Sequence, residues 1–173
     1  MKSIAGKHVV LIGFMGTGKT EVGRLLAAAL SRRFVDTDAW IEKESRMTVQ
    51  EIFATLGEAA FRQKEAEALA VLCRQKGLVL ATGGGIILNP QNVLLLRETG
   101  YVIWLDAEME ELARRLAGDN TRPLLKGGVD FREIYHRREE LYRNAAHVRV
   151  DTTGKTPIAV SEEILALLWQ DVA

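Results

Sequence analysis

Cysteine, proline and net charge are all scarce in this 173-residue chain, and each scarcity excludes something. The lone Cys73 can form no internal disulfide, so it reads as a core thiol on a helix in a reducing, cytoplasmic setting. Only Pro90, Pro123 and Pro157 break the chain, and no repeat or low-complexity tract appears. That leaves no linker and points to a single domain over residues 1–173, long enough to bury a core. With 23 basic against 23 acidic residues, nucleic acid is not expected as a partner. No apolar run reaches the roughly 18–20 residues of a membrane helix, so no membrane partner is expected either. Residues 1–5 hold one lysine and no hydrophobic stretch, unlike a signal peptide. His8, His136 and His147 lack metal-ligand spacing, and Trp40, Trp104 and Trp169 read as packing residues. No apolar patch stands out in the sequence, which makes a monomer the expectation.

What is present is an alternation. Short apolar runs at 8–12, 34–37, 78–82, 101–105 and 148–150 predict strands. Helical patterns at 19–31, 48–56, 58–75, 90–98, 108–116, 131–143 and 157–169 separate them. Strands alternating with helices imply right-handed crossovers and a parallel sheet covered on both faces. Ligands of such sheets gather at the carboxyl ends of the strands, where any functional group is to be sought.

Residues 13–20, Gly-Phe-Met-Gly-Thr-Gly-Lys-Thr, meet the G-x-x-x-x-G-K-[ST] pattern between an apolar strand and a helix. Gly13, Gly16 and Gly18 allow successive backbone N–H groups, that of Thr17 among them, to face one anion. The start of the following helix adds its positive dipole end. Lys19 is placed to reach the β- and γ-phosphates of ATP, and the Thr20 hydroxyl to ligate Mg²⁺. Glu21 stands where many such loops carry a second hydroxyl, which leaves the α-phosphate to backbone.

Further candidates follow the other strands. Asp36 and Asp38, two apart in an extended segment, would share one side of the chain. One would sit near the metal and one near an acceptor hydroxyl; equally, Asp38 would serve as the N-cap of a helix through Ala39, Trp40 and Ile41. Arg62 and Glu65 face the same way on a helix, either as a held guanidinium or as an ordinary surface ion pair. Gly83, Gly84 and Gly85 follow a buried strand, offering backbone donors or simply a flexible turn. Arg122 lies in a basic segment between helical patterns, suited to a lid that neutralises phosphate charge or to a solvated connector. Residues 151–157 form a last loop at the ligand edge.

In order and spacing these marks resemble the shikimate kinase family over nearly the whole chain: G-F-M-G-x-G-K-T at 13–20, D-T-D at 36–38, G-E-x-x-F-R-x-x-E at 57–65, T-G-G-G at 82–85, R-P-L-L at 122–125 and R-x-x-L-Y at 138–142. The resemblance implies an α/β, three-layer P-loop kinase fold with a five-stranded parallel central sheet flanked by helices. It adds a mobile lid at about 119–131 and an acceptor-binding helical region at about 36–65. It implies transfer of the γ-phosphoryl group of MgATP to the 3-hydroxyl of shikimate, within aromatic amino-acid biosynthesis by the chorismate route. Lys19 and Thr20 would serve phosphate and Mg²⁺, with Asp36 holding the metal through water. Asp38 would bind the acceptor hydroxyls and act as base. Arg62 and Arg138 would clamp the carboxylate, and Gly83, Gly84 and Gly85 would supply backbone contacts. Arg122 would close over the phosphates, and Arg115, Lys155 and Pro157 would border the adenine, although Lys155 stands where relatives often have arginine. Rival readings are a gluconate-type or nucleoside-monophosphate kinase on the same scaffold, and a nucleotide-dependent switch in which the arginine pair has no task.

Overall fold

The computed structural model describes residues 4, 6–117 and 130–170. Arg122 and nearly all of the segment expected to form a lid lie outside the described residues.

Five parallel strands form one sheet in the order β2-β3-β1-β4-β5. They are β1 (His8–Ile12), β2 (Phe34–Asp36), β3 (Val79–Ala81), β4 (Gly100–Asp106) and β5 (Val148–Asp151). Every residue of central β1 is buried, as a parallel strand covered on both faces requires. Seven helices are described: α1 (Lys19–Ala29), α2 (Thr37–Ser45), α3 (Val49–Leu72), α4 (Pro90–Thr99), α5 (Met109–Leu116), α6 (Phe131–Ala145) and α7 (Pro157–Gln170). None among the described residues is long and apolar enough to cross a membrane.

The period of two along the strands divides the core. Val9 and Leu11 pack with Val22 and Leu26 of α1 and Ile164 of α7, whereas Val10 and Ile12 pack with α3, α4 and α6 on the opposite face. The chain therefore leaves β1 towards one face and β3 towards the other. This divergence opens a crevice at the carboxyl ends of the two neighbouring strands, where residues 13–20 and 82–85 emerge.

Two expectations need correction. Asp36 and Asp38 do not share an extended segment. The strand stops at Asp36, whose carboxylate accepts from the backbone N–H groups of Asp38 (3.0 Å) and Ala39 (3.2 Å). The cap of α2 is thus Asp36, and Asp38 stands in the first turn of the helix. Trp169 is not a packing residue; it is 60% exposed, whereas Trp104 is buried and Trp40 half-buried. The two helices expected at 48–56 and 58–75 form the kinked α3. Thr48 and Glu51 cap it reciprocally, and Gly57 breaks it with φ 83° and ψ 169°. Cys73 closes this helix half-buried against the core, and burial raises its thiol pKa.

Candidate active site

The turn after β1 is anchored from below. Phe14 and Met15 are buried in the core, and the Thr17 hydroxyl turns inward to donate to the Phe14 carbonyl at 2.8 Å. Any contribution of Thr17 to an anion is therefore through its backbone. Gly16 and Gly18 hold φ of 82° and 87°, a region that a side chain would strain, and Gly18 caps α1 in that conformation. The Lys19 ammonium folds over the turn and donates to the carbonyls of Gly13 and Phe14, 2.8 Å each. It thus braces the loop while sitting at its mouth.

The Thr20 hydroxyl donates to Asp36 Oδ2 at 2.7 Å, so one carboxylate caps α2 and meets α1. Among the described residues no group of three His, Cys, Asp or Glu side chains could cage a metal. Two hard oxygens beside a phosphate loop fit Mg²⁺, which takes one or two protein ligands and completes its shell with phosphate oxygens and water.

This loop borders a cavity of about 700 Å³. Glu21 stands exposed on its wall, and Arg115, Lys155 and Pro157 line the far side. Arg115 ties that side together, donating to the Gly16 carbonyl (3.1 Å), the Thr152 hydroxyl (3.0 Å) and the Thr152 carbonyl (2.8 Å). Lys155 is engaged by Glu163 at 2.7 Å, across the loop from β5 and the start of α7.

A second cavity of about 440 Å³ shares Asp38, Glu42, Gly83 and Gly84 with the first. Arg62, Glu65, Gly85 and Arg138 stand on its wall. Glu65 is buried and Arg62 mostly so, which excludes the surface ion pair: Arg62 Nη1 lies 2.5 Å from Glu65 Oε2, and Nη2 lies 3.1 Å from Glu58. Burial lowers the Arg62 pKa, but Glu65 and Glu58 more than reverse this and raise it. Burial raises the Glu65 carboxyl against the opposing pull of Arg62. Arg138, buried on α6, brings a second guanidinium to the same cavity.

The glycine run fits only because it lacks side chains. A Cβ on Gly83 would stand 2.7 Å from Asp38 Oδ1 and 3.0 Å from Glu65 Oε1, and one on Gly85 would stand 2.6 Å from Arg62 Cζ. Backbone thus packs directly on the charged groups. Two hydroxyls to which sequence reasoning gave no role secure these loops. Buried Thr37 accepts from Gly83 N–H at 3.2 Å, and buried Thr152 donates to the Asp106 carbonyl at 2.9 Å. Their signal was position: each is a threonine at the carboxyl end of its strand, beside an aspartate. All the expected site residues within the described chain line one of the two cavities, save Gly13, which opens the loop and accepts from Lys19.

A family model described as shikimate kinase matches residues 15–169. A shikimate kinase of Pelotomaculum thermopropionicum is 47% identical over 166 residues, covering 94% of this chain and 95% of that protein. One of Symbiobacterium thermophilum is 46% identical over 168 residues, covering 94% and 97%. Among solved structures, the shikimate kinase from Acinetobacter baumannii in complex with shikimate superposes with a TM-score of 0.91 at 37% identity, covering 95% of this chain and 94% of that one. A gluconokinase from Sinorhizobium meliloti, at TM-score 0.61 and 17% identity with 98% and 94% coverage, shares the fold alone. Sequence, fold and the paired cavities agree: the chain belongs to the shikimate kinase family.

Proposed function

We propose that this chain transfers the γ-phosphoryl group of ATP, with Mg²⁺, to the 3-hydroxyl of shikimate, giving 3-phosphoshikimate and ADP on the route to chorismate. The observation that carries the reading is the join between the two cavities. One holds a phosphate loop, the other holds two arginines, and Asp38, Gly83 and Gly84 belong to both.

The roles follow from placement. Arg62 and Arg138 hold the acceptor carboxylate, for which a planar guanidinium supplies paired donors. The glycine run lets backbone approach the acceptor ring. Asp38, at the shared boundary, takes the proton of the attacking hydroxyl as that oxygen bonds to the γ-phosphorus, and the bond to the bridging oxygen of ADP breaks. Backbone N–H groups at 13–20 and the Lys19 ammonium receive the phosphates. Thr20 and Asp36 would hold Mg²⁺, whose contribution is to neutralise charge on the phosphate oxygens. Arg115, Lys155 and Pro157 border the nucleotide base. Arg122 and the segment 119–131 are assigned, from the family resemblance, to closure over the phosphates. A single cytoplasmic, monomeric domain with residues 36–65 as the acceptor-binding region completes the proposal.

A coupled ADP-release assay with shikimate, with gluconate and without acceptor tests it. Turnover should require shikimate. ADP release that ignores shikimate, or prefers gluconate, overturns the reading.

A further inference from the structure

Tyr142 has no part in the roles above, yet it is among the largest fully buried side chains of the protein. Its ring stacks on Trp104 at 5.9 Å and 23°. Its hydroxyl donates to the Gly84 carbonyl at 2.5 Å. Burial raises the phenol pKa well above its usual value, so the donor keeps its proton at any working pH. Arg138 lies one helical turn earlier on α6, and its charge lowers the phenol pKa against that burial. From the other side, a Cβ on Gly84 would stand 3.5 Å from the Gly13 carbonyl oxygen and 3.6 Å from Met15 N, so Gly84 is held between the phosphate loop and α6.

Three consecutive glycines form a segment whose peptide planes rotate with little steric resistance. A trans peptide points its C=O and N–H in opposite directions. Fixing the Gly84 carbonyl on Tyr142 therefore fixes the Gly85 N–H, aimed away from α6, within the acceptor cavity wall that includes Arg62.

We propose that Tyr142 is a positioning residue for the acceptor: its hydroxyl sets the orientation of the Gly84–Gly85 peptide, so that the Gly85 N–H joins the Arg62 and Arg138 guanidinium groups of the same cavity wall on one bound molecule. This rests on the acceptor reading of the second cavity.

Tyr142→Phe keeps the ring and removes the donor. Tyr135→Phe is the control, since Tyr135 is also a buried tyrosine of α6 but donates to Asp106 at 3.0 Å instead of to Gly84. With shikimate-dependent turnover established for the unaltered protein, Tyr142→Phe should raise the shikimate KM about tenfold, the order set by one lost buried hydrogen bond, with the ATP KM and kcat within about twofold. Tyr135→Phe should lower thermal stability without a selective rise in the shikimate KM. An unchanged shikimate KM in Tyr142→Phe, an equal rise in the ATP KM, or the same selective rise in Tyr135→Phe overturns the inference. If Tyr142→Phe does not fold, p-aminophenylalanine at position 142 decides, because its amino group still donates: a shikimate KM near the unaltered value supports the proposal and a raised one overturns it. Absence of shikimate-dependent turnover in the unaltered protein would instead remove the acceptor reading itself.

Discussion

Arg62 and Glu65 form an ion pair 2.5 Å long between a side chain 20% exposed and one only 1% exposed. The asymmetry gives the pair a direction. Glu65 is fixed in the interior and Arg62 extends from it to the cavity wall, with Glu58 holding its other edge. A free arginine would lose rotamer entropy on gripping a carboxylate; this one has already lost it. Arg62→Ala should therefore raise the shikimate KM about 10- to 100-fold, the range for a charge-assisted contact, and leave the ATP KM nearly unchanged. Arg62→Lys should not restore it, since a point charge cannot replace the planar fork. Steady-state kinetics with each substrate varied in turn checks both, and unaltered shikimate kinetics in Arg62→Ala would sink the acceptor assignment.

Asp38 tests the chemical step in isolation. Asp38→Asn keeps the size of the side chain and its place beside Gly83 but cannot take up a proton. The expected loss is about 10²–10⁴-fold in kcat, with ADP affinity by calorimetry held within about threefold. A near-normal kcat would take Asp38 out of the base role.

Asp36 caps α2 and is proposed to hold Mg²⁺, and one substitution separates the two roles. Asparagine caps helices as well as aspartate does, so Asp36→Asn should leave the start of α2 and the Tm almost intact. It removes the charge beside Thr20, so the Mg²⁺ concentration needed for half-maximal rate should rise about tenfold, at an effect comparable to one charge-assisted contact. A Mg²⁺ titration of the rate, run beside thermal unfolding, distinguishes the two. An unchanged Mg²⁺ dependence would leave Asp36 as a cap only.

The phosphate loop was legible because its chemistry is contiguous: strand, glycines, lysine and helix all lie within 13–20 and its flanks. The aspartates were misplaced because both suit an N-cap. What decides between them is where β2 stops pairing with β3, at Asp36 opposite Ala81, which is a tertiary fact. The spacing of Arg62 and Glu65 was readable, but the burial that sets their pair apart from a surface bridge was not. Thr37 and Gly83 meet across 46 residues, beyond any local pattern. Trp169 is a different kind of miss. Val160, Ile164 and Leu168 form the buried stripe of α7 at helical spacing, and the residue after Leu168 lies about 100° off it. Its exposure was readable from periodicity.

His8 gives the fold a pH dependence of its own. It is buried in β1, and its Nδ1 accepts from Leu78 N–H at 3.1 Å, so that nitrogen must be unprotonated. Burial lowers its pKa most; the Cys73 carbonyl opposes this and Arg32 adds to it. Protonation would turn the acceptor into a donor facing Leu78 N–H while placing charge in the core. In the unfolded chain the ring titrates near its ordinary value of about 6.5. Below that pH the unfolded state holds more protons than the native one, so stability falls as pH drops towards the depressed folded value and is level, for this group, above about 6.5. His8→Asn, which offers an acceptor without titrating, should flatten the acid side of the Tm-against-pH curve in that window. Thermal unfolding of both proteins across it is the check: parallel slopes would mean that His8 takes its proton in the native state as readily as in the unfolded one.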